Sequence, residues 1–258
     1  MLWYTEGRIP FVMPPEDCDA LADWMEDSYP EEFIASASFE PDFVDALCRS
    51  GFIPMATLGG DEAEYLIPKM HVDRSVMRPS SAVVTRTARR QSPRYELALD
   101  ESFDETLDAC VATHGDGWLR PLLVASWKEL FATRDSRAVR LSSMELYAEG
   151  RLAAGEIGVF AGASYTSLTG FRRETGAGTV QLAATARYLE LVGVELWDLG
   201  MPLDYKEGLG AEVVPRAEFM ARFREARERR IERPPGPFAA RALIDRCGFV
   251  ADDEVEVT

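Results

Sequence analysis

The chain has 258 residues, with 28 Lys and Arg against 44 Asp and Glu, a formal charge of −16 and 47% hydrophobic residues. Those proportions are those of a folded globular protein. They exclude collagen-like, coiled-coil and disulfide-scaffold classes and argue against broad, non-specific nucleic-acid binding.

The chain opens as α+β. Pro14 and Pro15 precede a helix expected over Asp17–Met25. Glu40-Pro41-Asp42 opens another over Phe43–Cys48, stopped at Ser50-Gly51. Phe52–Met55 is expected as a short strand or turn and Glu64–Lys69 as a strand, with Gly59-Gly60-Asp61 breaking the chain between them. A soft boundary near Lys69 sets a small N-terminal α+β domain (1–68) apart from a larger unit (69–235). Pro234-Pro235-Gly236-Pro237 opens a tail (236–258).

From Arg74 to Arg94 the chain reads RSVMRPSSAVVTRTARRQSPR, carrying Arg74, Arg78, Arg86, Arg89, Arg90 and Arg94 with no acidic residue between them. In so acidic a protein this is an anion-binding patch or a solvated helix face.

Beyond it, Tyr95–Leu99 alternates as a strand. Ser102-Phe103-Asp104-Glu105 resembles a capping box and starts a helix to Thr113. The loop His114-Gly115-Asp116-Gly117 leads to a helix over Leu122–Phe131. Ala138–Tyr147, Arg151–Phe160 and Ser164–Phe171 are expected as antiparallel strands turning at Glu149-Gly150 and Ala161-Gly162-Ala163. Thr175–Gly178 leads into a helix over Thr179–Leu191, stopped by Gly193. An apolar strand follows at Val194–Leu199, then Leu209–Val214 and a charged helix at Arg216–Arg229, whose arginines interleave with glutamates as in a salt-bridged surface.

The cysteines Cys18, Cys48, Cys110 and Cys247 never form CxxC, and the histidines are His71 and His114. No metal site is expected, and the thiols read as reduced and partly buried. No apolar run approaches the ~20 residues of a membrane helix. The acidic N-terminus lacks a basic-then-apolar signal pattern. A cytoplasmic location without membrane contact is expected.

Strand–strand–strand–helix–strand–helix is a mixed α+β order. It matches the core of the Gcn5-related N-acyltransferase fold, a mixed sheet flanked by helices. The segments DFVDALCRSGFIPM, KMHVDRSVMRP, RTARRQSPRYELALDESFDETLDAC, GDGWLRPLLVASWKELF and GLGAEVVPRAEF, collinear over roughly Phe33–Phe219, resemble the bacterial leucyl/phenylalanyl-tRNA–protein transferases.

The resemblance implies an aminoacyltransferase that moves an amino acid from aminoacyl-tRNA to the N-terminal amine of a protein or peptide. The charged tRNA would be co-substrate, with no further cofactor. The family's pocket tryptophan lands on Trp118, a pocket aromatic on Tyr165 and a phenylalanine on Phe171, which together would hold the aminoacyl side chain. Its acidic catalytic residue lands on Asp198, and its acceptor-stem-binding segment on the arginines from Arg74 to Arg94. The family's glutamine falls on Gly200, its glutamate on Leu168 and the tryptophan of its G-I-F-P-W on Met55.

Other readings stay open. Asp198 also reads as a cap to the following turn, and Trp118 and Tyr165 as packing residues. Glu156 reads as a solvated-face residue. Arg173-Glu174-Thr175-Gly176-Ala177-Gly178 fits the R-x-x-G-x-G loop that cradles the pyrophosphate of acyl-CoA. An acetyl-CoA-dependent N-acyltransferase is therefore the second reading, and a catalytically impaired binding homologue the third.

Overall fold

The computed structural model describes residues 2–3, 9–14, 17–115, 117–234 and 236–246. Pro15, Asp116, Pro235 and Cys247, with the end of the expected tail, lie outside them. β1 (Leu2–Trp3) pairs antiparallel with β2 (Phe11–Val12). Asp17 caps α1 (Cys18–Ser28) by accepting from the amides of Asp19 and Ala20, which satisfies helix donors that have no partner within the helix. α2 (Pro41–Arg49) begins with Pro41, where a missing N–H is harmless. β3 (Ile53–Leu58) and β4 (Glu64–Lys69) form a separate antiparallel pair.

β5 (Asp73–Met77), α3 (Arg86–Gln91), β6 (Tyr95–Leu99), α4 (Phe103–His114) and α5 (Pro121–Ala132) lead to β7 (Arg140–Ala148), β8 (Arg151–Ala161) and β9 (Ser164–Arg172). α6 (Ala177–Leu191) crosses to β10 (Leu196–Gly200). α7 (Asp204–Glu207), β11 (Glu212–Pro215), α8 (Arg216–Ala226), β12 (Phe238–Ala239) and α9 (Ala240–Asp245) follow. The main sheet has eight strands in the order β11-β5-β10-β9-β8-β7-β6-β12, antiparallel except between β9 and β10. The β7–β8–β9 meander, the α6 crossover and the parallel β10 reproduce the expected acyltransferase-type core.

Turn chemistry fixes the meander. Glu149 and Gly150 both have positive φ (52° and 74°), the two-residue turn that matches strand twist. At Gly162, with φ 56°, a Cβ would stand 2.3 Å from the Arg227 carbonyl oxygen. Glycine is what lets the end of α8 close over this turn.

The sheet is covered on both faces. One face packs against α1, α2, α4, α5 and α8 through a core that includes Leu21, Leu47, Leu107, Trp127, Ile157 and Phe219. The other packs against α6 through Met144, Tyr165, Val180 and Trp197. α3 and α9 close over α6 at Ala88, Ala183 and Ile244.

The first of these cores joins residues on both sides of Lys69, so 1–68 has no core of its own. Arg216, buried at the start of α8, donates to the carbonyls of Met25, Tyr29, Glu31, Met70 and His71 and clamps the N-terminal segment onto the sheet. Arg224 and Arg227 pair with Asp23, Glu26 and Asp19 of α1, so the charged helix is an internal tie and not only a surface. The start of the expected tail is likewise structural, because β12 extends the sheet at β6 and α9 packs on α6.

Candidate active site

Only three residue pairs join β9 to β10: Ser164–Leu196, Tyr165–Trp197 and Thr166–Asp198. Beyond them β9 continues along β8, while β10 bulges against β5 between Asp198 and Gly200. The strands therefore part at their C-terminal ends and leave a crevice beside the N-terminus of α6. Glu156, Ser167, Gly178, Leu182 and Leu199 are all partly exposed there.

Four side chains on the α6 face of the sheet form a hydrogen-bonded chain in that crevice. Trp197 Nε1 donates to Ser167 Oγ at 2.9 Å, and Ser167 donates to Glu156 Oε2 at 3.2 Å. Tyr165 donates its hydroxyl to Glu156 Oε1 at 3.0 Å. Burial pushes the Glu156 carboxyl up to about 7, against the two hydrogen bonds that pull it down. Burial also raises the Tyr165 phenol well above its usual range, so it stays a neutral donor. Glu156 is thus no solvated-face residue. Its strand is covered on both sides, which the sequence of that strand does not reveal.

Asp198 points to the opposite face, because neighbours on a strand alternate and Trp197 faces α6. It is wholly buried. Arg74 grips it with Nε to Oδ1 at 2.9 Å and Nη2 to Oδ2 at 2.6 Å. Thr166 Oγ1 donates at 3.0 Å and the Gly200 amide at 2.8 Å. Burial alone would raise the carboxyl, but the Arg74 charge and these bonds hold it below the ordinary carboxylate range. Every oxygen is occupied, so Asp198 does not reach a substrate amine directly. It anchors β10 instead.

Arg74 also bonds the Gly51 carbonyl and lies 4.2 Å over the Phe219 ring. At 1% exposed it cannot contact an acceptor stem, contrary to what the family resemblance implies for it. The P-R-A-E-F segment at Pro215–Phe219 is thereby explained as structure: Arg216 clamps the N-terminal segment and Phe219 floors Arg74.

Tyr165 and Phe171 do not share a pocket. Their spacing of six residues would place both on one face, but Leu168 is an extra residue between the Gly158–Ser167 and Ile157–Thr169 pairs. This bulge flips the parity. Tyr165 faces α6 against Phe160 (4.6 Å between ring centroids), while Phe171 packs on the α4 side. Trp118 is half-buried on that same side, edge-on to Trp127 at 6.3 Å. Leu168, the position of the family's glutamate, also packs there.

The remaining arginines lie along α6. Arg187 of α6 donates to the carbonyls of Ser80 and Ala82, Ala88 packs on Ala183, and Gln91 reaches Gly176. The arginine-rich segment therefore runs antiparallel to α6, over about 22 Å at 1.5 Å per residue. Arg78, Arg86, Arg90 and Arg94 are exposed. Arg89 is partly buried, 3.8 Å from Asp245, and Arg94 lies 3.7 Å from Glu174.

The Arg173–Gly178 loop does precede the α6 N-terminus, but Gly176 is covered by Gln91. Gly176 has φ 84°, and a Cβ there would stand 2.2 Å from Gln91 Oε1. Arg173 is engaged with Glu105 at 2.9 Å and with the Leu152 carbonyl. Among the described residues no cluster of His, Cys, Asp or Glu could hold a metal, and no helix is long and apolar enough to cross a membrane. Burial pushes the thiols of Cys18 and Cys110 up to about 12 and raises that of Cys48 as well.

A mixed sheet that parts between a parallel strand pair, beside a crossover helix, is the arrangement expected of the Gcn5-related N-acyltransferase fold. A model of the leucyl/phenylalanyl-tRNA protein transferase family matches residues 76–224. The chain belongs to this family. It is 33% identical over 157 residues to a leucyl/phenylalanyl-tRNA–protein transferase of Thiobacillus denitrificans, covering 59% of this chain and 67% of that one. It is 28% identical over 236 residues to one of Ralstonia pickettii, covering 88% and 90%. A crystal structure of FemX is similar at TM-score 0.42 and 11% identity, covering 83% of this chain and 81% of that chain.

Proposed function

We propose that the chain transfers an amino acid from an aminoacyl-tRNA to the N-terminal amine of a protein or peptide. The observation that carries this reading is the family match, which runs from β5 through α8 and so includes both strands of the crevice. The chemistry is within reach of such a site. The donor ester is already activated, and an α-amine with a pKa of about 7.7–8 is partly neutral at pH 7. Holding the two in attack geometry lowers the barrier by roughly 7–11 kcal/mol.

In this reading Arg78, Arg86, Arg90 and Arg94 meet the acceptor-stem phosphates, and Trp118 walls the aminoacyl pocket. The Asp198–Arg74 pair holds β10 in place. The reaction belongs to the cytoplasm, where charged tRNA is found. The test is label transfer from leucyl- or phenylalanyl-tRNA, compared with acetyl-CoA, onto a peptide panel with free N-termini. Label arriving from charged tRNA alone is the expected result. Label arriving from acetyl-CoA alone overturns the proposal.

A further inference from the structure

The crevice holds a carboxyl, Glu156, that the transfer reading leaves without a role. We propose that Glu156, held between Tyr165 and Ser167 at the parting of β9 and β10, accepts the proton of the attacking amine. The inference rests on the transfer reading above and adds a catalytic group to it.

The geometry has three parts. Glu156 is partly exposed, together with Ser167 and Leu199, where β9 and β10 part, so a substrate amine has access to it there. Both its oxygens are oriented by donors that are themselves fixed. Tyr165 is wholly buried against Phe160, and Ser167 is held by Trp197. Gln181 of α6 lies beside it, 6% exposed. It bonds the carbonyl of Met144, which pairs with Glu156 across the strands, and its own Oε1 has no partner. Closed off from solvent, Gln181 braces the strand pair that carries Glu156 and does not itself meet a substrate.

Asp198, on the other face and saturated by Arg74, cannot serve. Gly200 has no side chain to serve with. The titratable groups that couple to Glu156 are the Tyr165 phenol and, through the sheet from α4, the Cys110 thiol, both neutral near pH 7. His114 of α4 bonds the carbonyl of Gly170, the residue paired with Glu156, and Arg172 lies beside Gly178. The Glu156 value of about 7 suits a base working at neutral pH.

The step balances. The neutral α-amine attacks the ester carbonyl carbon and a C–N bond forms. The proton released from nitrogen passes to the Glu156 carboxylate. The C–O bond to the terminal ribose then breaks, and the same proton goes to the departing ribose oxygen. The products are an amide and a free ribose hydroxyl, with Glu156 again a carboxylate.

The experiment is single-turnover transfer from phenylalanyl-tRNA to a peptide amine across pH 5.5–9, with wild type, Glu156→Gln and Ser167→Ala. Glu156→Gln keeps the size of the side chain and should slow transfer about 10²- to 10⁴-fold with unchanged affinity for charged tRNA. In wild type two groups must lose a proton, so below about pH 6.5 the log rate should rise with a slope near 2, falling to near 1 in Glu156→Gln. Ser167→Ala removes a bond that stabilises the carboxylate and should move the acid limb to higher pH. That variant decides the question even if Glu156→Gln fails to fold. A Glu156→Gln enzyme with the wild-type rate, or a lowered rate with the slope still near 2, overturns the inference, as does a limb that Ser167→Ala leaves in place. Wild type that transfers nothing from charged tRNA overturns the functional reading itself, and this inference with it.

Discussion

Arg74 and Asp198, far apart in sequence, form a two-point ion pair with both side chains 1% exposed or less, and it ties β5 to β10 beside the crevice. Removing one partner leaves the other charged and buried, which typically costs about 3–5 kcal/mol. Arg74→Ala should lower the urea-derived unfolding free energy by that amount, and adding Asp198→Leu should recover much of it. A single variant within about 1 kcal/mol of wild type would show that the pair is dispensable. The carboxyl's folded pKa lies below its unfolded one. The contribution is therefore complete above the unfolded value and is lost as pH falls through the folded one.

Glu145 behaves in the opposite sense. It is wholly buried on the α4 face, accepts from Ser143 Oγ and the Ser102 amide, and leaves Oε2 without a partner. Burial pushes it up to about 7. Between roughly pH 4 and 7 the native state holds a proton that the unfolded state has released, so stability falls as pH rises through that window. Glu145→Gln should stabilise by on the order of 2–3 kcal/mol at pH 8 and by almost nothing at pH 4. Denaturant titrations at the two pH values measure the difference, and an equal effect at both would refute it.

Arg86 and Arg90 stand one helical turn apart on α3, both exposed, with no ion pair among the described residues. Reversing both to Glu should weaken tRNA binding and reduce the slope of log affinity against log salt by about one for each phosphate no longer neutralised. Filter binding over a KCl series reads both quantities. An unchanged slope removes α3 from the acceptor-stem surface.

Trp118 is half core and half surface. Trp118→Ala leaves space beside Trp127 and should cost roughly 2–4 kcal/mol of stability. If Trp118 also walls the aminoacyl pocket, transfer per folded molecule should fall for phenylalanyl-tRNA. A normal rate in the folded fraction would make it core alone.

Much of the fold was legible in chain order, because the meander, its two turns, the crossover helix and β10 follow from strand alternation and from glycine placement at Gly150 and Gly162. β5 was not legible. It opens on Asp73 and Arg74, charges where apolar residues would mark a buried strand, and it pairs with β10 and β11, more than a hundred residues away. The site was legible only in outline. Asp198 stood out as a carboxylate in an apolar strand, but a strand pattern does not say which of two covered faces a residue meets or which arginine waits there.

The sequence by itself determined the class of fold, the family, and the stretch of chain in which the crevice lies, because these rest on local periodicity and motif order. Only the tertiary structure decided the roles. A single bulged residue, Leu168, puts Tyr165 and Phe171 on opposite faces. A partner from β5 turns Asp198 from a reacting group into an anchor. The cover of α6 turns Glu156 from a surface carboxylate into a half-buried one that titrates near neutral pH. Each of these depends on what lies across the sheet, and facing partners are set by packing between distant segments, to which a period of two along one strand is blind.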